Sequence, residues 1–389
     1  MEAVSRRTAM LGALGAAGAA LAGCSTETPQ PQAPGSTVPP TSSPTSPAAT
    51  PTPTADTTPR WPLTGKVLKN PDDARHIAVA VKVPDNRNEH PQIGLDKADI
   101  VYVQLDGYPA AVGRSGTRLV PVFHSAFADT VNPVRSIRPV DIPMLAPMNA
   151  IIGNTGAFPW VLDYAKEFDD YIVPMKSYMA TKGTGAYSIL GSRVRTWQGR
   201  TYYDRAVACH PEVLARQTKK FADGPTQLYF PWAANEDEVS TAVAGKDARH
   251  VSVPWMSGNT FPMSYTYSEK TGRYLRSMPW GKHVMSNGKR ISCDNVLVIK
   301  ARQVFGKIYP SGKIVPNYGG HDEPIHDIID AEGTFYYAHG GKYVTGKWTK
   351  GAVNEVFSFT LADGSPLKMA PGQTFVELPN TKSKISFKA

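Results

Sequence analysis

Asp99-Ile-Val-Tyr-Val-Gln-Leu105 and Arg118-Leu-Val-Pro-Val-Phe-His124 are the runs on which the fold reading turns. Both have strand length and are rich in β-branched and aromatic residues. Upstream, Ile77-Ala-Val-Ala-Val-Lys-Val83 has the same character. Pro121 has no N–H to give to a ladder, so it predicts an edge strand or a bulge in the 118–124 run. Helices are expected over 141–148, 159–168 and 212–221; in the second, Trp160, Val161, Tyr164 and Phe168 form one apolar stripe behind Pro159. Beyond residue 226 the pattern changes to hairpins. Met263-Ser-Tyr-Thr-Tyr267 faces Arg273-Tyr-Leu-Arg276, and Asn287-Gly288 signals a type I′ turn. Phe335-Tyr-Tyr-Ala-His339 turns at Gly340-Gly341 into Lys342-Tyr-Val-Thr-Gly-Lys-Trp348. The expected class is α+β in two domains, a mixed α/β domain over 61–225 and a β-rich hairpin domain over 226–389.

The remainder of the chain is not core-forming. Among 389 residues, 41% are hydrophobic and 19% charged, with 34 prolines and 33 glycines. That balance excludes a wholly disordered chain, a polytopic membrane protein and a coiled coil. Residues 1–24 read as an export signal: Arg6-Arg7, a short Ala/Gly/Leu stretch, then Leu21-Ala22-Gly23-Cys24, which resembles a bacterial lipobox. Cys24 is the expected lipidation site, the twin arginines point to the Tat route with Sec as the alternative, and the body is expected at the outer face of the cytoplasmic membrane. The 25–60 stretch is dominated by Pro, Thr and Ser and reads as an extended tether, reaching up to roughly 100 Å at ~3 Å per residue. Cys209 and Cys293 remain, a candidate disulfide in an oxidising compartment or two buried free thiols.

A family resemblance emerges from ordered motifs. Pro91-Gln92-x-Gly94-Leu95-x-x-Ala98-Asp99-Ile100-Val101-Tyr102 resembles the signature of YerB-like bacterial lipoproteins. Thr117-Arg118, Val122-Phe123-His124-Ser125, Pro133-Val134-Arg135-Ser136-Ile137-Arg138-Pro139-x-Asp141, Gly346-Lys-Trp348 and Pro371-Gly-x-Thr374 continue the pattern. The resemblance implies a two-part α+β architecture with layered mixed sheets and an extracytoplasmic location, and it supplies no reaction. The chain departs from the pattern at Val103, Gln104 and Asp106-Gly107, where relatives carry a glutamate and a Gly-Gly pair.

The densest polar constellation is Arg118, His124, Arg135, Ser136, Arg138 and Asp141, with Arg114 nearby. Arginine forks ahead of a helix predict an anion-binding cleft for a wall-polymer phosphate or a peptidoglycan carboxylate. The structural alternative pairs Arg135 and Arg138 with Asp99, Asp106 or Asp141. Residues 319–327 gather His321, Asp322, Glu323, His326 and Asp327, but without HExxH or paired CxxC spacing no metal site is assigned. Lys270-Thr271-Gly272 lacks the Ser-x-x-Lys and Ser-Asp-Asn partners of penicillin-binding enzymes and reads as a turn. No Walker or Rossmann glycine pattern implies a cofactor. The net charge of +9 favours envelope polyanions over nucleic acid as partners for an exported chain. The expectation is a non-catalytic envelope lipoprotein that binds a wall component or envelope protein. The alternative is a hydrolase or transferase on cell-wall polymers centred on His124.

Overall fold

The computed structural model describes residues 58–107 and 116–389; the export signal, Cys24, most of the tether and Arg114 lie outside the described residues. The three N-terminal runs become neighbouring strands. Ile100–Leu105 lies antiparallel to Thr117–Phe123, and the latter also pairs with Val79–Val81 and Val83–Pro84. Thr374–Glu377, near the C-terminus, pairs parallel with Ile100–Leu105 on one side and with Asn295–Ile299 on the other. Ala331–His339 and Lys342–Lys350 extend the same sheet beyond Asn295–Ile299. The two sequence parts therefore share one eleven-stranded sheet. Its central strands are apolar and buried along almost their whole length because layers cover both faces.

The protein is mostly β with few helices. The 141–148 segment is a short helix, Asp141–Leu145, tightening to a 3-10 turn over Ala146–Met148. Pro159–Lys166 starts at Pro159 as expected and buries Val161, Tyr164 and Ala165. The third helix is shorter than its pattern, Pro211–Ala215. Gly340 and Gly341 both have positive φ, and His339 pairs with Lys342 across them, a two-residue primed turn. Gly288 has positive φ but Asn287 does not, so that turn is not type I′.

Pro121 stands in an interior strand, not at an edge. The ladder explains the tolerance. On the Val79–Pro84 side, Phe123 and Val122 pair with Val79 and Ala80, and Leu119 and Arg118 pair with Val83 and Pro84. The register is broken between them, where the Lys82 amide turns away to the Gly153 carbonyl, so the missing N–H of Pro121 costs no rung on that side.

A second, six-stranded sheet includes His250–Met256, Thr260–Ser268 and Arg273–Met278. It meets the central sheet where Tyr265 lies 6.0 Å ring-to-ring from Phe375. A three-stranded sheet joins Arg302–Ile308 to Glu323–Asp327. Cys209 and Cys293 are free and buried, which corrects the candidate disulfide. Cys209 pairs with Tyr187 in a small two-stranded sheet and Cys293 with Tyr274 in the six-stranded one, so separate ladders hold the two thiols.

Candidate functional site

The predicted constellation forms, but it is closed. Asp141 is fully buried, and Lys82, also fully buried, places its Nζ 2.7 Å from Asp141 Oδ1 and hydrogen-bonds Gln104 Oε1. Arg138 donates its backbone N–H to Asp141 and pairs through Nε with Glu323 at 2.8 Å. Arg118 pairs with Asp106 and donates to the Ser136 carbonyl at 2.8 Å. Arg135 pairs with Glu89. Each arginine proposed as an anion ligand thus has an internal carboxylate partner, and Arg118 and Arg138 are largely buried. Arg118, Arg135, Ser136, Arg138 and Asp141 therefore tie strands and loop together and do not line an open anion cleft. The cause is topological: the Glu323–Asp327 strand delivers Glu323 to Arg138, a partner some 185 residues distant in sequence.

His124 is likewise corrected. Its ring is buried beside His76 (4.7 Å between centroids) and Trp61 (5.3 Å), with Nε2 on the Ala74 carbonyl at 3.0 Å. The Asp99 carboxylate accepts its backbone N–H, and no carboxylate bonds the ring among the described residues. With no carboxylate on the imidazole and no open face, it is no acid–base centre. Burial, reinforced by His76, pushes the His124 pKa from 6.5 down to about 4. Because the folded value is depressed, the stability from the neutral ring is complete above pH 6.5 and lost as pH falls toward 4. Relative to His124→Gln, the wild type should lose up to about 3 kcal/mol across that window, measured by urea unfolding at stepped pH; parallel curves would refute the burial argument.

The 319–327 cluster disperses into separate roles. Glu323 pairs with Arg138, the Leu105 N–H donates to His326 Nε2, and Asp327 pairs with Arg302.

A second buried network, unforeseen in the sequence, joins the two parts of the chain. Arg276 is fully buried and donates to Asp85 at 2.8 Å and to His283 Nδ1 at 2.8 Å. Burial would raise Asp85, but Arg276, His90 and His283 hold its carboxyl well below the ordinary range. His283 Nε2 in turn donates to Gln92 Oε1 at 2.9 Å, and Thr117 Oγ1 donates to Asp85 at 2.8 Å. On the far side Arg276 Nε lies 3.9 Å from Glu377, which accepts from Tyr265 (2.5 Å) and Trp255 (2.6 Å). Burial pushes Glu377 up to about 7, with Arg276 and the two donors offsetting part of the shift. Asp85, His90 and His283 cluster closely enough to suggest a metal, but the Arg276 guanidinium already engages Asp85 and His283 Nδ1.

Outward from this network lies an open cleft of about 380 Å³ lined by Glu89, His90, Arg193, Arg195, Arg205 and neighbours. His90 stands at its inner wall, its Nε2 3.1 Å from Asp85 Oδ1. Arg195 grips Asp204 with both Nε and Nη2, at 3.2 and 2.8 Å. Arg193 donates to the Pro91 carbonyl at 2.6 Å and forms no ion pair among the described residues. Burial lowers the Arg193 pKa; Glu89 opposes this, and the positive charge of Arg205 adds to it. The cleft lining carries Arg193, Arg195 and Arg205 against Glu89, and Asp204 pairs with Arg195 beside it, three positive charges to two negative. The sequence signal was the concentration of Arg193, Arg195, Arg200 and Arg205 within thirteen residues, in a stretch with no core pattern to explain it.

The described body is a mostly β protein whose two sequence parts share a sheet and are cross-linked by buried ion pairs. Two family models match the chain. Residues 63–201 match the N-terminal domain, and 251–376 the C-terminal domain, of a protein of unknown function, DUF3048. The chain belongs to the DUF3048 family. In fold it is similar to the crystal structure of YerB from Bacillus subtilis, with a TM-score of 0.64 and 19% identity, covering 84% of this chain and 99% of that one. No curated protein matches it.

Proposed function

We propose that the chain is a lipid-anchored protein of the outer face of the cytoplasmic membrane whose folded body binds an anionic component of the cell envelope. The anchor rests on the 1–24 signal and Cys24, and the reach on the 25–60 tether. One observation carries the binding role: the excess of arginine over carboxylate around the 88–91/192–205 cleft, where Arg193 is in no ion pair among the described residues. Guanidinium forks recognise phosphate and carboxylate bidentately, so a ligand anion would complete what Glu89 and Asp204 leave unfilled.

Full-length protein extracted in detergent should co-sediment with purified wall material, less so at high salt. Arg193→Ala/Arg205→Ala should weaken this by about tenfold or more. Equal sedimentation would remove the cleft from the reading. Cys24→Ser should leave the membrane fraction, and its retention there would remove the anchor.

One contact favours a second reading. His90 faces the cleft with Asp85 behind it, the arrangement that orients an imidazole to accept a proton from water or a hydroxyl. A hydrolase would then act on the same bound polymer. Release of soluble fragments by wild type but not by His90→Gln, at unchanged binding, is its signature; no release by wild type rejects it.

A further inference from the structure

Beside the cleft, Arg195–Trp197 and Arg200–Tyr202 form a two-stranded ribbon that belongs to no larger sheet. Its turn is Gln198-Gly199, both at positive φ, and the register pairs Trp197 with Arg200, Thr196 with Thr201 and Arg195 with Tyr202. Residues paired across a ladder share a face, and side chains alternate along each strand. One face therefore carries Arg195, Trp197, Arg200 and Tyr202, and the other carries the two threonines. The Arg195 guanidinium sits 5.1 Å from the centre of the Tyr202 ring. Trp197 is 60% exposed, and Arg200 has no ion-pair partner among the described residues. An exposed indole between two arginines does nothing for the core, and composition of this kind marks contact surfaces.

Arg195 belongs both to this face and to the cleft wall, so the two form one continuous surface. It alternates cations with flat apolar rings at strand spacing, about 7 Å between same-face neighbours along one strand. We propose that this surface binds an anionic carbohydrate chain: the arginines of ribbon and cleft hold phosphate or carboxylate groups, and Trp197 stacks on the apolar face of an adjoining sugar ring. This inference rests on the anion-binding reading of the cleft and adds the ligand class. A free anion would have no use for Trp197. A lipid surface would favour aliphatic residues around the indole, and here Thr196 and Thr201 back the ribbon instead.

The test uses full-length protein in detergent, with an oligogalacturonide, an uncharged malto-oligosaccharide of equal length, inorganic phosphate, single-stranded DNA and phosphatidylglycerol vesicles as probes. The charged oligosaccharide should bind much more tightly than the neutral one or phosphate. Trp197→Ala should weaken the charged oligosaccharide about tenfold and leave phosphate unchanged. Arg193→Ala/Arg205→Ala should weaken both. The ribbon is exposed on both faces, so Trp197→Ala should keep the wild-type melting temperature, which separates lost contact from lost folding. If Trp197→Ala leaves oligosaccharide binding intact while the arginine variant loses it, the carbohydrate assignment fails and the anion reading stands. If no anion binds the wild type, both fail. Binding of DNA or vesicles that is tighter than the oligosaccharide and sensitive to Trp197 would overturn the ligand class in favour of that partner.

Discussion

Arg276→Ala should destabilise the protein by about 3–5 kcal/mol, among the largest effects expected of single changes outside the apolar core. The guanidinium has no exposed surface, and its removal strands Asp85 in a dry site with only hydroxyl, amide and imidazole partners. It also takes the donor from His283 Nδ1 and the nearest cation from Glu377. Asp85 belongs to the N-terminal part and Arg276 to the C-terminal part, so the loss falls on their junction. Thermal and urea unfolding measure it directly. At the size of this chain the loss corresponds to a fall in melting temperature of order 10 °C. The exposed Arg249–Glu269 pair is the control; despite its 2.5 Å contact, solvent screens it, and Arg249→Ala should leave the melting temperature nearly unchanged. Equal effects at the two arginines would overturn the argument from burial.

Lys82 is the second case, and its informative measurement is a double-mutant cycle. Burial lowers its pKa to about 8 against the pull of Asp141. The ammonium is therefore an expensive group that the fold keeps because Asp141 and Gln104 receive it. Lys82→Met should cost about 3–5 kcal/mol by leaving the Asp141 carboxylate buried with the Arg138 amide as its remaining donor. Asp141→Leu should cost a similar amount for the converse reason. The double variant should be much less than additive, because two apolar side chains replace both charges at once. Additive losses would mean that Lys82 and Asp141 act independently.

The chemistry of folding and the candidate chemistry of function fall on different arginines. Arg138 and Arg276 have carboxylates brought to them by segments distant in sequence, Arg118 takes Asp106 from the end of the adjoining strand, and all three are spent on joining the interior. Arg193 and Arg200 lie on a segment that contributes no strand to the large sheets and form no ion pair among the described residues, so their charge stays available. The same residue type is structural or available according to whether the fold supplies a counter-ion.

The runs 77–83, 99–105 and 118–124, the Pro159 helix start and the Gly340-Gly341 hairpin were legible in the residue order because they depend on local rules: β-branched propensity, the fixed φ of proline, and positive φ at paired glycines. The Gln198-Gly199 hairpin obeys the same rules and was readable from Arg-Thr-Trp and Arg-Thr-Tyr flanking two turn residues. Partner choice followed no local rule. Pro121 sits inside a sheet because Val79–Pro84 and Ile100–Leu105 flank its strand, Glu323 reaches Arg138 from a separate three-stranded sheet, Asp85 meets Arg276 from a strand-end 191 residues away, and the two cysteines lie in different ladders. Backbone preference acts over a few neighbouring residues, whereas an ion pair in a dry interior depends on which distant strand arrives beside it. Chain order thus dictated the elements, and their three-dimensional assembly dictated which arginines were left facing water.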